Sequence, residues 1–290
     1  VPLASCTSLT SANCYSLDPT KTYIYEGSTA RLANFGGFHH PAIYIAEAVR
    51  LGIAVRPPHI NQSQRHFTLH YTEEAPHTPV LWMGLGQVRQ LRRTAARLII
   101  AQAQTRPFSS VQDLLVRVPL QTKEITYLIQ CGALDGLDTS RAAMLASVTG
   151  SSAKRSLHQM AFDFAQIDIQ PETPAQRLLW ERRVLGMPIT THPLATVAYD
   201  AQGLTSLAQL TTQAGKTGRV AVARLPGWTG GQGFFVSDGQ SYATAIASQK
   251  SNATKQITAP RSWTPMIITG RWLRDEWGGG WLQVEKIEAL

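Results

Sequence analysis

Cysteine is scarce in this sequence. Cys6, Cys14 and Cys131 are the only three in 290 residues, an odd number with no metal-ligand spacing. A disulfide framework and a cysteine-built metal site are thereby excluded, and a reducing cytoplasm is the expected setting. Long apolar runs are missing too. No stretch of about twenty such residues occurs, so no membrane-spanning helix is expected. Val1 to Cys14 is rich in Ser and Thr but lacks a basic stretch followed by an apolar one, which excludes a secretory signal. The chain begins with Val rather than Met, as a fragment or a partial reading frame would. Carboxylates are the minority charge: 19 Asp and Glu stand against 27 Lys and Arg, a net charge of +8. The basic excess favours a polyanionic partner, nucleic acid before an anionic membrane. A hydrophobic fraction of 43% suffices for folded cores and excludes global disorder.

Along the chain, residues 1–30 show no sustained period and read as a tail. His40-Pro41 opens a helix, with Ile43, Ala46, Ala48 and Val49 on its apolar side and Gly52 at its end. Ile53 to Val55 and Phe67 to Tyr71 read as short strands. From Val80 the pattern turns helical, with Val88, Leu91, Ala95, Leu98 and Ile99 at spacings of three or four. Short helices follow at 111–117, behind Ser109-Ser110, then at 120–130 and 140–148. Residues 151–204 read as a linker carrying a helix over 176–185. Beyond it the character changes. Five short strands (219–225, 233–237, 241–247, 266–272 and 280–287) alternate with glycine turns, which fits a small closed barrel of the OB type. The fold class expected is α+β and multi-domain. Its parts are 31–80, a helical region over 81–150, the linker, and an all-β barrel over 205–290.

Several motifs stand in order along the chain: Phe38-His39-His40-Pro41 through Ala48, Arg50-Leu51-Gly52-Ile53, and Pro57-Pro58-His59-Ile60-Asn61-Gln62-Ser63. Then come Gly84-Leu85-Gly86-Gln87-Val88-Arg89 and Pro107-Phe108-Ser109-Ser110 through Leu114. Last are Leu128 through Asp135 with Arg141, and Glu181, Leu185-Gly186 and His192-Pro193-Leu194. From about Arg31 to Leu290 the chain resembles the C-terminal part of the alpha subunit of bacterial DNA polymerase III, the C-family of DNA polymerases. The resemblance implies the end of a polymerase fingers region over 31–80. It implies helix-hairpin-helix DNA binding over 81–150 and an OB-fold after the linker. It also implies DNA replication, with primer–template duplex and single-stranded template as partners beside the sliding clamp and other replisome subunits. The acidic palm motif that holds catalytic metal in this family is not matched. The chain is expected to be non-catalytic alone, with no cofactor of its own; magnesium belongs to the palm. Asp163 and Asp168 read as solvated linker carboxylates and His192 as a structural turn residue, so no metal site is assigned.

Helix-hairpin-helix modules hold phosphate on backbone N–H groups at a helix start, without reading bases. Where the family usually has a Gly-x-Gly turn, this chain has Gln90-Leu91-Arg92. Arg89, Arg92, Arg93 and Arg97 are the candidate DNA contacts there, with 89, 93 and 97 on one helix face; the alternative is a solvated basic face. Around the second hairpin the candidates are Lys123 and Arg141. In the barrel they are Trp228 in a Gly-rich loop, Phe235, which alternation sets on the opposite side from Phe234, and Arg271. In the linker, Gln159, Met160, Phe162 and Phe164 resemble the family's clamp-binding peptide, or alternatively pack on their own domain. A stand-alone DNA-binding accessory protein is the competing overall reading.

Overall fold

The computed structural model describes residues 39–72, 75–137, 140–151, 170–230, 233–247, 260–274 and 279–290. The first helix, α1 (Pro41–Arg50), begins where the His40 ring accepts the Ala42 N–H through Nδ1 at 3.2 Å. Proline at the first helical position costs nothing, because that N–H has no partner inside a helix. Ala42, Ile43 and Ala48 form its buried face.

A three-stranded sheet follows. β1 (Ala54–Arg56) runs parallel to β3 (Ala75–Trp82), and β2 (Thr68–Thr72) pairs antiparallel with β3. The helical period expected from Val80 onward is therefore wrong at its start. Val80, Leu81 and Trp82 pair with Ala54, Val55 and Arg56, a partner strand far behind them in sequence. An apolar run this short fits either period, and pairing decides it. A 3-10 turn at Leu85–Gln87 intervenes, and the helix begins only with α2 (Arg93–Thr105).

Helices α3 (Val111–Arg117), α4 (Thr122–Gln130) and α5 (Arg141–Ser151) complete the helical layer. Ser110 caps α3 by accepting the Asp113 N–H at 3.1 Å, and Gln121 with Glu124 form a capping box at α4. Their apolar faces share one core, with Leu114, Ile125, Leu128, Ile129 and Leu134 all fully buried. Helix α6 (Pro174–Leu185), opened by a capping box from Thr173 and Gln176, closes over this core with Val184 and Leu185.

After a 3-10 turn (Pro193–Thr196) and helix α7 (Leu207–Thr212) comes the barrel. Its strands are β4 (Thr217–Arg224), β5 (Phe234–Ser237), β6 (Tyr242–Ala247), β7 (Pro265–Arg274) and β8 (Gly280–Ala289). They close in the order β4-β5-β6-β8-β7, with β6 and β8 parallel and the other pairs antiparallel. The expected helical region followed by a small five-stranded barrel is thus the architecture found. Val220, Val222, Phe234, Val236, Met266, Ile268 and Leu282 fill the barrel, and Leu207 and Leu210 of α7 plug it. The barrel also docks on the helical layer. Leu225, Phe235 and Trp263 join the helical core, and the His39 ring meets Phe235 edge-on at 5.6 Å.

Candidate nucleic-acid interface

The first hairpin is the turn between the 3-10 segment and α2. Its approach is fixed by close backbone contact. Leu85 and Gly86 donate N–H bonds to the carbonyls of Gln64 and Arg65, each at 2.9 Å. A Cβ on Gly84 would lie 2.4 Å from the Arg65 carbonyl oxygen, so only glycine lets the two segments touch. At the turn itself Gln90 adopts φ +61°, the left-handed conformation that glycine usually supplies. Arg92, at the second glycine position, has φ −61°, so only the first of the two positions takes the left-handed conformation. Arg89 donates its N–H to the Val184 carbonyl at 3.2 Å, which ties the hairpin to α6.

Arg92 departs from its expected role. It is the N-cap of α2, and its fork is already occupied. Its backbone N–H and its Nε donate to Glu124 Oε1 at 3.0 and 2.8 Å, while Nη2 donates to Glu124 Oε2 and to the Pro119 carbonyl at 2.8 and 2.9 Å. Glu124 is buried, with 1% of its side chain exposed. Burial alone would raise its pKa, but the Arg92 bonds, the Gln121 N–H and the Arg92 charge outweigh that and hold it at about 2. Arg92 therefore staples the start of α2 to the start of α4.

Arg93 and Arg97 lie on α2, but Arg89 lies in the turn before it, which corrects the expected single helix face; all three are exposed and border one cavity of about 540 Å³. Arg65, His66 and Gln87 border it as well. No Asp or Glu lines it among the described residues. Among the described residues no side chain accepts from the N–H groups of Arg93, Thr94 or Ala95, while the Arg92 N–H just before them is held by Glu124. The lining is suited to an anion: it has guanidinium groups and no carboxylate, although Glu124 holds the Arg92 N–H at the start of α2. Sequence reasoning missed Arg65 and His66, because they lie in a loop that carries no period and reach the hairpin only through the fold.

The second hairpin, between α4 and α5, is differently built. Gly132 stands at φ +84°, and an added Cβ would lie 2.3 Å from an Arg141 nitrogen. The N–H groups of Gly132, Ala133 and Asp135 are taken by the carbonyls of Ile129, Leu128 and Gly132. Arg141, expected to touch phosphate, is instead 1% exposed. It donates to both Asp135 oxygens at 2.8 and 2.6 Å, to Glu181 Oε1 at 3.1 Å and to the Gln130 carbonyl at 3.2 Å. Burial alone would lower its pKa, but the Asp135 bonds and the two carboxylate charges reverse that and raise it. Glu181 also accepts the Ile189 and Thr190 N–H groups at 2.7 and 2.9 Å. This hairpin is a structural joint. Lys123 remains exposed, with Nζ 5.9 Å from the centre of the Tyr127 ring.

On the barrel, Trp228 is 65% exposed in the loop between β4 and β5. Phe235 is 7% exposed, which corrects its expected role as a stacking platform. Alternation does turn it away from the barrel interior, but α1 covers that outer face. Arg271 is exposed on β7 and lies 3.7 Å from Glu285, a solvent-screened pair of little energetic consequence. The expected clamp peptide, Gln159, Met160, Phe162 and Phe164, lies outside the described residues, as do Asp163 and Asp168. Among the described residues no cluster of His, Cys, Asp and Glu could hold a metal ion, and no helix is long and apolar enough to cross a membrane.

Residues 52–144 match the sequence profile of the helix-hairpin-helix motif. An error-prone DNA polymerase of Alkalilimnicola ehrlichii is 27% identical over 252 residues, 82% of this chain and 24% of that protein. The DNA polymerase III subunit alpha of Streptococcus pyogenes is 26% identical over 215 residues, 68% of this chain and 20% of the relative. An error-prone DNA polymerase of Pseudomonas syringae pv. tomato is 30% identical over 162 residues, 55% and 16% respectively. The chain thus spans about a quarter or less of the curated relatives it matches.

Proposed function

The chain belongs to the C-terminal region of the C-family of bacterial DNA polymerases, and from that premise we propose that it holds the DNA on which such a polymerase works. The first hairpin grips the sugar–phosphate backbone of the duplex, and Trp228 offers a stacking face to the single-stranded template. The carrying observation is the carboxylate-free cavity bordered by Arg89, Arg93 and Arg97. Backbone capture needs no base contact, so binding is sequence-tolerant and steeply weakened by salt. The test is a salt titration of duplex affinity. Changing Arg89, Arg93 and Arg97 together to Gln flattens the log–log slope by about two to three units. An unchanged slope would remove this hairpin from the DNA interface.

The linker supplies a second contact in this reading. Gln159 to Phe164 docks on the sliding clamp, with Gln159 making directional hydrogen bonds and Met160, Phe162 and Phe164 entering apolar pockets. The clamp and neighbouring replisome subunits would keep the chain at the primer–template junction. The expected setting is the cytoplasm. Buried Cys131, its thiol pushed up to about 12 chiefly by burial, takes no part in redox chemistry there.

A further inference from the structure

The cavity beside the first hairpin is built for more than a passing phosphodiester. One wall is the hairpin and α2, with Arg89, Arg93 and Arg97; the facing wall is the loop that carries Arg65 and His66. That loop is pinned against the hairpin's approach by the bonds at Gln64 and Arg65, so the second wall is part of the fold. The cavity's arginines also differ from others in the chain. Arg92, Arg117, Arg141 and Arg177 are each paired with a carboxylate. Arg65, Arg89, Arg93 and Arg97 have no such ion pair among the described residues, and no carboxylate lines their cavity. Gln87 lines it too, and its Nε2 is buried with no acceptor among the described residues. A buried donor left unpaired costs free energy unless an acceptor arrives.

Shape adds to charge. Leu91, Ile100 and Leu185 make part of the lining apolar. About 540 Å³ with such a lining exceeds what a phosphate group needs and leaves room for a sugar and base. A phosphate inside a duplex is held on the outer surface of a cylinder, and its nucleotide cannot leave the stack without cost. A strand end can enter. An end that carries a phosphomonoester brings about −1.5 to −2 charges at neutral pH, a better match to several guanidinium groups than a diester.

We propose that this cavity receives the terminal phosphomonoester of a DNA strand, and that Arg65 and His66 separate such an end from continuous backbone. The inference rests on the DNA-holding function above and adds the chemical form of the ligand. The test uses the full 290-residue chain and fluorescence anisotropy at one salt concentration. The probes are duplexes of one sequence carrying a 5′-phosphate, a 3′-phosphate or only hydroxyl ends, and a closed dumbbell without ends. Expected is at least about tenfold tighter binding of one phosphorylated end than of the hydroxyl duplex, the 5′ and 3′ arms telling which end is taken. The Arg65→Gln, His66→Gln chain should lose that preference and still bind the dumbbell. Equal affinity for phosphorylated, hydroxyl and closed duplexes would overturn the inference and leave the DNA-holding function intact. Binding to none of the probes would overturn both. The comparison of ends needs only the unaltered chain, so a misfolded variant does not blunt it.

Discussion

Glu124 shows how one carboxylate can redirect an arginine that the sequence presents as free. In the sequence, Arg92 is one of four arginines in a basic stretch. In the fold, a buried acid 32 residues further on takes both its side-chain fork and its backbone N–H. The consequence is a pH dependence with a defined sign. The Glu124 pKa falls from the ordinary 4.5 to about 2 on folding. A depressed carboxylate pKa stabilises the folded state fully above the unfolded value, and that contribution is lost as pH falls through the folded one. Urea midpoints should therefore decline between pH 4.5 and about 2. In the Arg92→Gln chain the midpoint should be lower at neutral pH and decline less over the same window. Parallel declines in both chains would mean that the pair contributes nothing to the acid sensitivity.

The two hairpins have the same helix–turn–helix outline and different internal wiring. The first pairs Arg92 with Glu124 and sets its other arginines along a carboxylate-free cavity, whereas the second satisfies its turn amides locally and buries its arginine between Asp135 and Glu181. A buried arginine tolerates no missing partner, because removing one charge strands the other in a poorly polar interior. Glu181→Ala should cost about 3–5 kcal/mol of stability by urea denaturation, and Lys123→Gln, at an exposed helix position, within about 0.5 kcal/mol. A loss below about 1 kcal/mol for Glu181→Ala would show that solvent or a neighbour replaces the carboxylate. The same wiring links α6 and the loop through Thr190 to the hairpin, so the joint also positions the chain's path toward the barrel.

At the scale of the whole molecule, the barrel is set against α1 and the helical core through Leu225, Phe235 and Trp263. The contacts proposed for the first hairpin and for Gln159 to Phe164 are with different partners, and their effects should separate experimentally. The Gln159→Ala, Phe164→Ala chain should lose binding to the cognate clamp, measured by surface plasmon resonance, and keep its duplex affinity unchanged. Clamp binding that survives the double change would make this segment ordinary packing. Loss of DNA affinity in the same chain would mean that the linker also supports the hairpin.

The sequence by itself determined the architecture in outline. Strand alternation with glycine turns marked the barrel, capping residues such as Ser110 marked helix starts, and the spacing of Arg93 and Arg97 marked neighbours on one helix, whereas Arg89 stands in the turn before it. These signals are local, and the physics behind them, side-chain period and backbone capping, acts within a few residues. Only the tertiary structure decided which polar groups are open to a ligand. It joined Arg65 and His66 to the hairpin, covered Phe235 with α1, and assigned Arg92 and Arg141 to carboxylates distant in sequence. It also turned Val80 to Trp82 into a strand by supplying β1 as a partner. Burial and charge pairing depend on what comes from elsewhere in the chain, and one sequence window carries no record of it.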